Sequence, residues 1–178
     1  MFYNQPRKLS AKKFHYDMKL LWQQNAECTI HFINNAIVNS PETKNWSLTL
    51  VQNQQSIANG IIRFCGDREK LSYLFNQFIQ PIGQAVDILV WKKDSKKLRE
   101  NWYKKADELT NIIHSLSTWN VREYFYKQIS LIESLIKSLD KKKKEAIAHY
   151  RNELIDNNIK LSEIFTDGII ADNKAMFI

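Results

Sequence analysis

Apolar residues recur at alternating steps of three and four along most of this chain, the spacing that lines one face of an α-helix. One seam runs Phe14, Met18, Leu21, Asn25, Cys28, Phe32, and a second runs Leu50, Gln54, Ile57, Ile61, Phe64. A third, over Leu71, Phe75, Phe78, Ile82, Ala85 and Leu89, is crossed by Pro81, whose ring removes one backbone hydrogen bond and kinks the helix. Leu98, Trp102, Leu109, Ile112 and Leu116 share a fourth face. Two more seams follow, Val121, Phe125, Gln128, Ile132, Leu135, Leu139 and then Ile147, Tyr150, Leu154, Asn157, Leu161, Ile164. Four of these seams are broken once, near the middle, by an uncharged amide: Asn25, Gln54, Gln128 and Asn157.

The punctuation between the seams sets the expected helix limits. Ser10 caps a first helix reaching about Val38, roughly 40 Å at 1.5 Å per residue. Pro41 cannot continue it and restricts Ser40, so 39–43 is a turn. The second helix is expected over about 46–65, ending at Gly66. A third begins after Asp67 and runs to about Trp91, and a fourth follows Ser95. Ser117 to Asn120 break that helix, and Asn120 with Glu123 has the spacing of a capping box. The fifth helix runs to Leu139 and the sixth to about Gly168. No segment calls for a strand, and the short connections make sequential helices antiparallel. The fold expected is an all-α, up-and-down helical bundle with four long core helices and two shorter or less regular helices, the second and fourth, which serve as connecting elements. Residues 1–9 form an N-terminal arm, 10–170 a single bundle domain and 171–178 a C-terminal tail.

Composition supports this picture and narrows the function. The 178 residues are 44% hydrophobic and 25% charged, with only four Gly and three Pro, values of a helical globular domain. No uncharged apolar run approaches the roughly 20 residues of a membrane span, and the basic N-terminus lacks an apolar signal core, so a cytoplasmic protein is expected. Cys28 and Cys65, lacking CxxC spacing, read as reduced core thiols. The net charge of +7 is concentrated at Lys92–Lys97 and Lys141–Lys144, both at helix ends, where solvated turns are the simplest reading. Most aromatics lie on the seams, so nucleic-acid binding through the basic turns ranks last among the functions.

Catalytic chemistry finds little footing. The histidines His15, His31, His114 and His149 form no Glu-x-x-His pair of the di-iron kind, and neither a GxSxG elbow nor a glycine-rich phosphate loop is present. Asp107 and Glu108 are adjacent and so diverge on a helix. No catalytic residue, metal ligand or cofactor is assigned. What remains is the amide set. An amide facing a core needs partners or costs roughly 1–3 kcal/mol, which points to a shared polar layer. That layer has a structural reading, in which the amides set helix register, and a functional one. In the functional reading Asn25, Thr29, Gln54, Gln128 and Asn157 line a small-ligand pocket, with Trp22 and Tyr150 as walls and Glu153 as the flanking carboxylate.

Leu21-Trp22-Gln23-Gln24-Asn25 followed by Thr29 resembles the Leu-Trp-x-x-His-x-x-Trp-Thr opening of a family of small helical bundles from low-GC Gram-positive bacteria. The resemblance extends through Asn53-Gln54-x-x-Ile57, Leu74-Phe75-x-x-Phe78-Ile79, Trp102-x-x-x-Ala106-Asp107-Glu108 and Gly168-Ile169. It implies a DinB-like bundle architecture. Such proteins are sometimes labelled acetylglutamate kinase, whose glycine-rich nucleotide features this sequence lacks. The family's helical histidines fall at Asn25, Phe78 and Gln128, and its second aromatic at Cys28. Amides are poor metal ligands and Phe is none, so the resemblance implies a metal site that has been lost. The expected function is therefore non-enzymatic binding of a protein partner or small molecule at the polar layer, compatible with a homo-oligomer. The alternatives are a metal-dependent DinB-like enzyme with an altered site and, last, weak nucleic-acid binding.

Overall fold

The computed structural model describes residues 8–62, 64, 69, 73, 82, 96–116 and 120–178. Among them the protein is all-α, with helices α1 (Ala11–Ile37), α2 (Thr43–Ile62), α3 (Lys96–Leu116), α4 (Arg122–Asp140) and α5 (Lys144–Asp172), then a 3-10 turn at Lys174–Met176. None of these helices is long and apolar enough to cross a membrane. The expected third helix, with its seam and Pro81, lies outside the described residues apart from Glu69, Tyr73 and Ile82. Cys65, Phe78 and most of the Lys92–Lys97 cluster also lie outside them.

Side-chain pairings fix the packing order. Along α1 and α2 the partners run in opposite directions: Met18 sits over Gly60, Asn25 bonds Asn53, and His31 stacks on Trp46. α5 runs against α1 in the same way, with Thr166 at His15, Phe165 stacked on Trp22 at 5.5 Å, and Asn158 at Asn25. On its other side α5 meets α4 antiparallel, through Asn157 with Tyr124 and Glu153 with Lys127. α3 joins α4 through Arg99 with Glu133 and Asp107 with Tyr126. The lateral order is α2, α1, α5, α4, α3, and α1 also touches the parallel α4, so α5 lies in the groove between them. Trp22, Phe125, Ile132, Leu154, Leu161 and Phe165 fill this groove, all buried. Each contributes roughly 1.5–3 kcal/mol by leaving water.

Several helix ends depart from the sequence expectation, each for a visible reason. Ser10 caps α1 as expected, its Oγ accepting from the Lys13 backbone N–H at 3.3 Å. α2 begins three residues early. The Ser40 carbonyl accepts from the Thr43 N–H and hydroxyl, and Ser40 Oγ from the Glu42 N–H, so the turn itself starts the helix. At twenty residues α2 is a full member of the bundle and not a connector. The capping box at Asn120 and Glu123 does not form. α4 starts at Arg122 with Val121 as its N-cap and no side-chain cap, because burial of Val121 in the core sets where the chain turns. α5 continues through Gly168 to Asp172, since the roughly 1 kcal/mol helix penalty of a glycine is offset by burial of Ile169 beyond it. The tail is held as well. Leu9 and Phe177 form a parallel β-bridge, and the Phe177 ring packs 5.5 Å from both Phe14 and Phe64.

Candidate ligand-binding site

All four seam amides are buried, and the partners of Asn25 and Asn157 are residues the seams leave out. Asn158 Nδ2 donates to Asn25 Oδ1 at 3.2 Å and to the Trp22 carbonyl at 3.1 Å. Asn25 Nδ2 donates to Asn53 Oδ1 at 2.9 Å, and Asn53 Nδ2 to the Leu21 carbonyl at 2.9 Å. The result is a one-way chain of amides across α5, α1 and α2. A backbone carbonyl can only accept, so the two ends on Leu21 and Trp22 fix which way every amide in the chain is turned. Asn157, next to Asn158, faces the other way and donates to the Tyr124 carbonyl of α4 at 3.0 Å. α5 carries buried amides at consecutive positions because it is covered by α1 on one side and α4 on the other. Asn53 and Gln54 form a similar buried pair on α2.

The remaining expected residues take different places. Trp22 is buried against Phe165 and lends the layer its carbonyl. Thr29 is buried one turn beyond Asn25, and Gln128 is buried on α4. Since Lys127 meets Glu153 and Asn25 meets Asn158, Asn25 and Gln128 stand roughly 8 Å apart along the bundle axis. Glu153 is half-buried and paired with Lys127 at 3.0 Å. Tyr150, also half-buried, lies about 12 Å along α5 from Asn158 and beside His149 instead of the amides. The structure thus joins Asn25 and Trp22 to Asn53 and Asn158, and Asn157 to α4, with Glu153 and Tyr150 at the margin.

Five buried oxygens remain without a hydrogen-bond partner among the described residues: Thr29 Oγ1, Gln54 Oε1, Gln128 Oε1, Asn157 Oδ1 and Asn158 Oδ1. The Asn157 and Asn158 oxygens are left over because each amide nitrogen is already held on a carbonyl. Beside the layer, a cavity of about 430 Å³ opens between α1 and α2, with Asn53 in its wall together with Cys28 and Gln52, and the parallel His31 and Trp46 rings at 4.3 Å. Burial, with the Glu27 charge second, pushes the Cys28 thiol up, so it is held as an unreactive thiol there.

The chain matches no protein family, no curated protein and no solved structure.

One arrangement has the outline of a catalytic triad. Thr166 Oγ1 lies 2.7 Å from His15 Nδ1, and His15 Nε2 lies 3.3 Å from Asp167 Oδ1. The Thr166 hydroxyl, however, also lies 2.8 Å from the Ser162 carbonyl and 3.2 Å from the Glu163 carbonyl of its own helix, which compete for its single proton. A buried hydroxyl held between its own helix and a histidine of the neighbouring one ties the two helices together. Among the described residues, no three His, Cys, Asp or Glu side chains converge as a metal-holding group. Ion pairs lie at the margins. Arg99 grips Glu133 with Nε and Nη2 at 2.7 and 2.8 Å, and the Lys127 hydrogen bond and charge hold the Glu153 carboxyl below its ordinary range.

Proposed function

We propose that this protein is a non-enzymatic binding bundle whose amide layer takes a small molecule rich in hydrogen-bond donors. The observation that carries this reading is the set of five buried, unpartnered oxygens. At roughly 1–3 kcal/mol each, leaving them unmet would cost about 5–15 kcal/mol, the whole stability of an ordinary domain. Donors, from ordered water or from a guest, must therefore reach them. Four of the five are amide oxygens, which only accept, and none is a carboxylate, which favours a neutral guest bearing N–H or O–H groups over an anion or a metal ion. A protein partner is less well supported, because these acceptors lie inside the bundle. The metal site implied by the family resemblance would place imidazoles at Asn25 and Gln128. Those positions are offset along the axis, and Asn25 is already committed to its neighbours.

The test is native mass spectrometry of the purified protein together with a crystal structure near 1.2 Å. A bound molecule donating to Gln128 Oε1, Asn157 Oδ1 or Asn158 Oδ1 is the expected result. If ordered water alone satisfies all five oxygens and the measured mass is that of the bare chain, the amides are structural and the proposal fails.

A further inference from the structure

A second cavity, far from the amide layer, lies at the end of the bundle where α1 stops and α4 turns into α5. It has a volume of about 620 Å³, within the range of small-molecule sites. Ile37, Val38, Leu139 and Ile147 give it an apolar floor, and Lys142 and Lys144 stand on its rim. Val38 is 71% exposed, so its side chain is open to a guest. The rim belongs to a run of four exposed lysines, Lys141 to Lys144, none of which forms an ion pair among the described residues. Asp140 also lines the cavity and Glu145 is in the first turn of α5, so the local balance is two acids against four lysines. α5 begins here with Lys143 as N-cap and no side-chain cap, which leaves first-turn N–H groups facing the same end. Helix starts of this kind favour anions.

An apolar floor beneath a cationic rim is complementary to one kind of guest, an apolar chain that ends in an anion. We infer that this end of the bundle binds a free amphiphilic carboxylate, with its tail against Val38, Leu139 and Ile147 and its head between Lys142 and Lys144. A membrane surface fits less well. The apolar residues line a concavity, and the other large exposed hydrophobics among the described residues include Tyr16 and Leu20 in the first half of α1, Leu48 and Val51 on α2, and Met176 and Ile178 in the tail beside Leu9, none of them lining the cavity.

Decanoate is the probe, titrated calorimetrically into the full-length protein. Decanoate should bind, butyrate at least about tenfold more weakly for want of methylenes to bury, and decanol more weakly for want of charge. Raising the salt should loosen decanoate and leave decanol unchanged. Lys142→Gln with Lys144→Gln, and separately Val38→Asp, should each weaken decanoate about tenfold with an unchanged melting temperature, since all three side chains are exposed. Decanoate binding indifferent to both variants would overturn the assignment, as would no binding at millimolar decanoate. Capture of the wild type by phosphatidylglycerol vesicles without binding of free decanoate would replace it with a membrane surface.

Discussion

The chain of amides makes a strong prediction about how its members depend on one another. Replacing Asn25 by Leu, nearly isosteric, strands Asn53 Oδ1 without its donor, while Asn158 Nδ2 keeps the Trp22 carbonyl. Replacing Asn53 by Leu strands Asn25 Nδ2, since the Leu21 carbonyl loses only a second donor. Each stranded group costs roughly 1–3 kcal/mol, partly offset by the apolar atoms gained. Each single variant should therefore lose about 2 kcal/mol, or about 4–8 °C for a chain of this size. The double variant strands neither group. It should be more stable than the sum of the singles by about 2 kcal/mol, at the upper part of the range for residues in direct contact. Urea unfolding followed by far-ultraviolet circular dichroism gives all four corners of the cycle. Additivity to within about 0.5 kcal/mol would mean that Asn25 and Asn53 are not hydrogen-bonded in solution, and the proposed layer would lose its central link.

Other residues make independent predictions. Arg99→Lys should destabilise by about 1 kcal/mol despite keeping the charge, because Lys cannot reproduce the two-pronged grip on the largely buried Glu133; an unchanged urea midpoint would contradict it. Gly60→Ala should not give the usual helix gain and should cost about 1–2 kcal/mol, because the new Cβ would lie 2.6 Å from buried Met18 Sδ; the loss should shrink in a Met18→Ala background, and an equal loss in both would rule out this clash. Glu153 titrates below its ordinary value of 4.5, so its contribution to stability is present above that value and is lost as pH falls through the lower folded one. Lys127→Ala should return the carboxyl upward in a carbon-detected NMR titration, and an unmoved titration would show that the pair is absent in solution.

Much of the fold was legible because seams of period 3.6 identify helices regardless of context. Ser10 and Pro41 also act through local chemistry that tertiary packing does not override. The helix starts at Thr43 and Arg122 were less legible, since one depends on the folded turn at Ser40 and the other on burial of Val121. The amide layer was half visible. A seam selects one residue per turn, yet a helix wedged between two neighbours buries a wider stripe, and both members of Asn53-Gln54 and Asn157-Asn158 fall within it. Adjacent amides within an apolar pattern were the available signal. The cavity above Lys142 and Lys144 had no such signal, because it is formed by three helix ends brought together only by the fold.

The amide chain also bears on how the bundle is assembled. Asn25 and Asn53 are 28 residues apart and Asn157 and Tyr124 33, whereas Asn158 and Asn25 are separated by 133. Closing the longer loop costs about 1.4 kcal/mol more than the shorter ones, so the α1–α2 and α4–α5 hairpins form first and dock last. Asn158→Leu should then raise the unfolding rate and leave the folding rate nearly unchanged, and a matching fall in the folding rate would place docking earlier. Until docking, each hairpin presents to water a face that carries amides as well as Leu, Ile and Phe, and those amides stay hydrated. They make the half-built faces less prone to join wrong partners, and a docking that slips by one turn leaves them unmatched, so the last interface to close rejects its own misalignments.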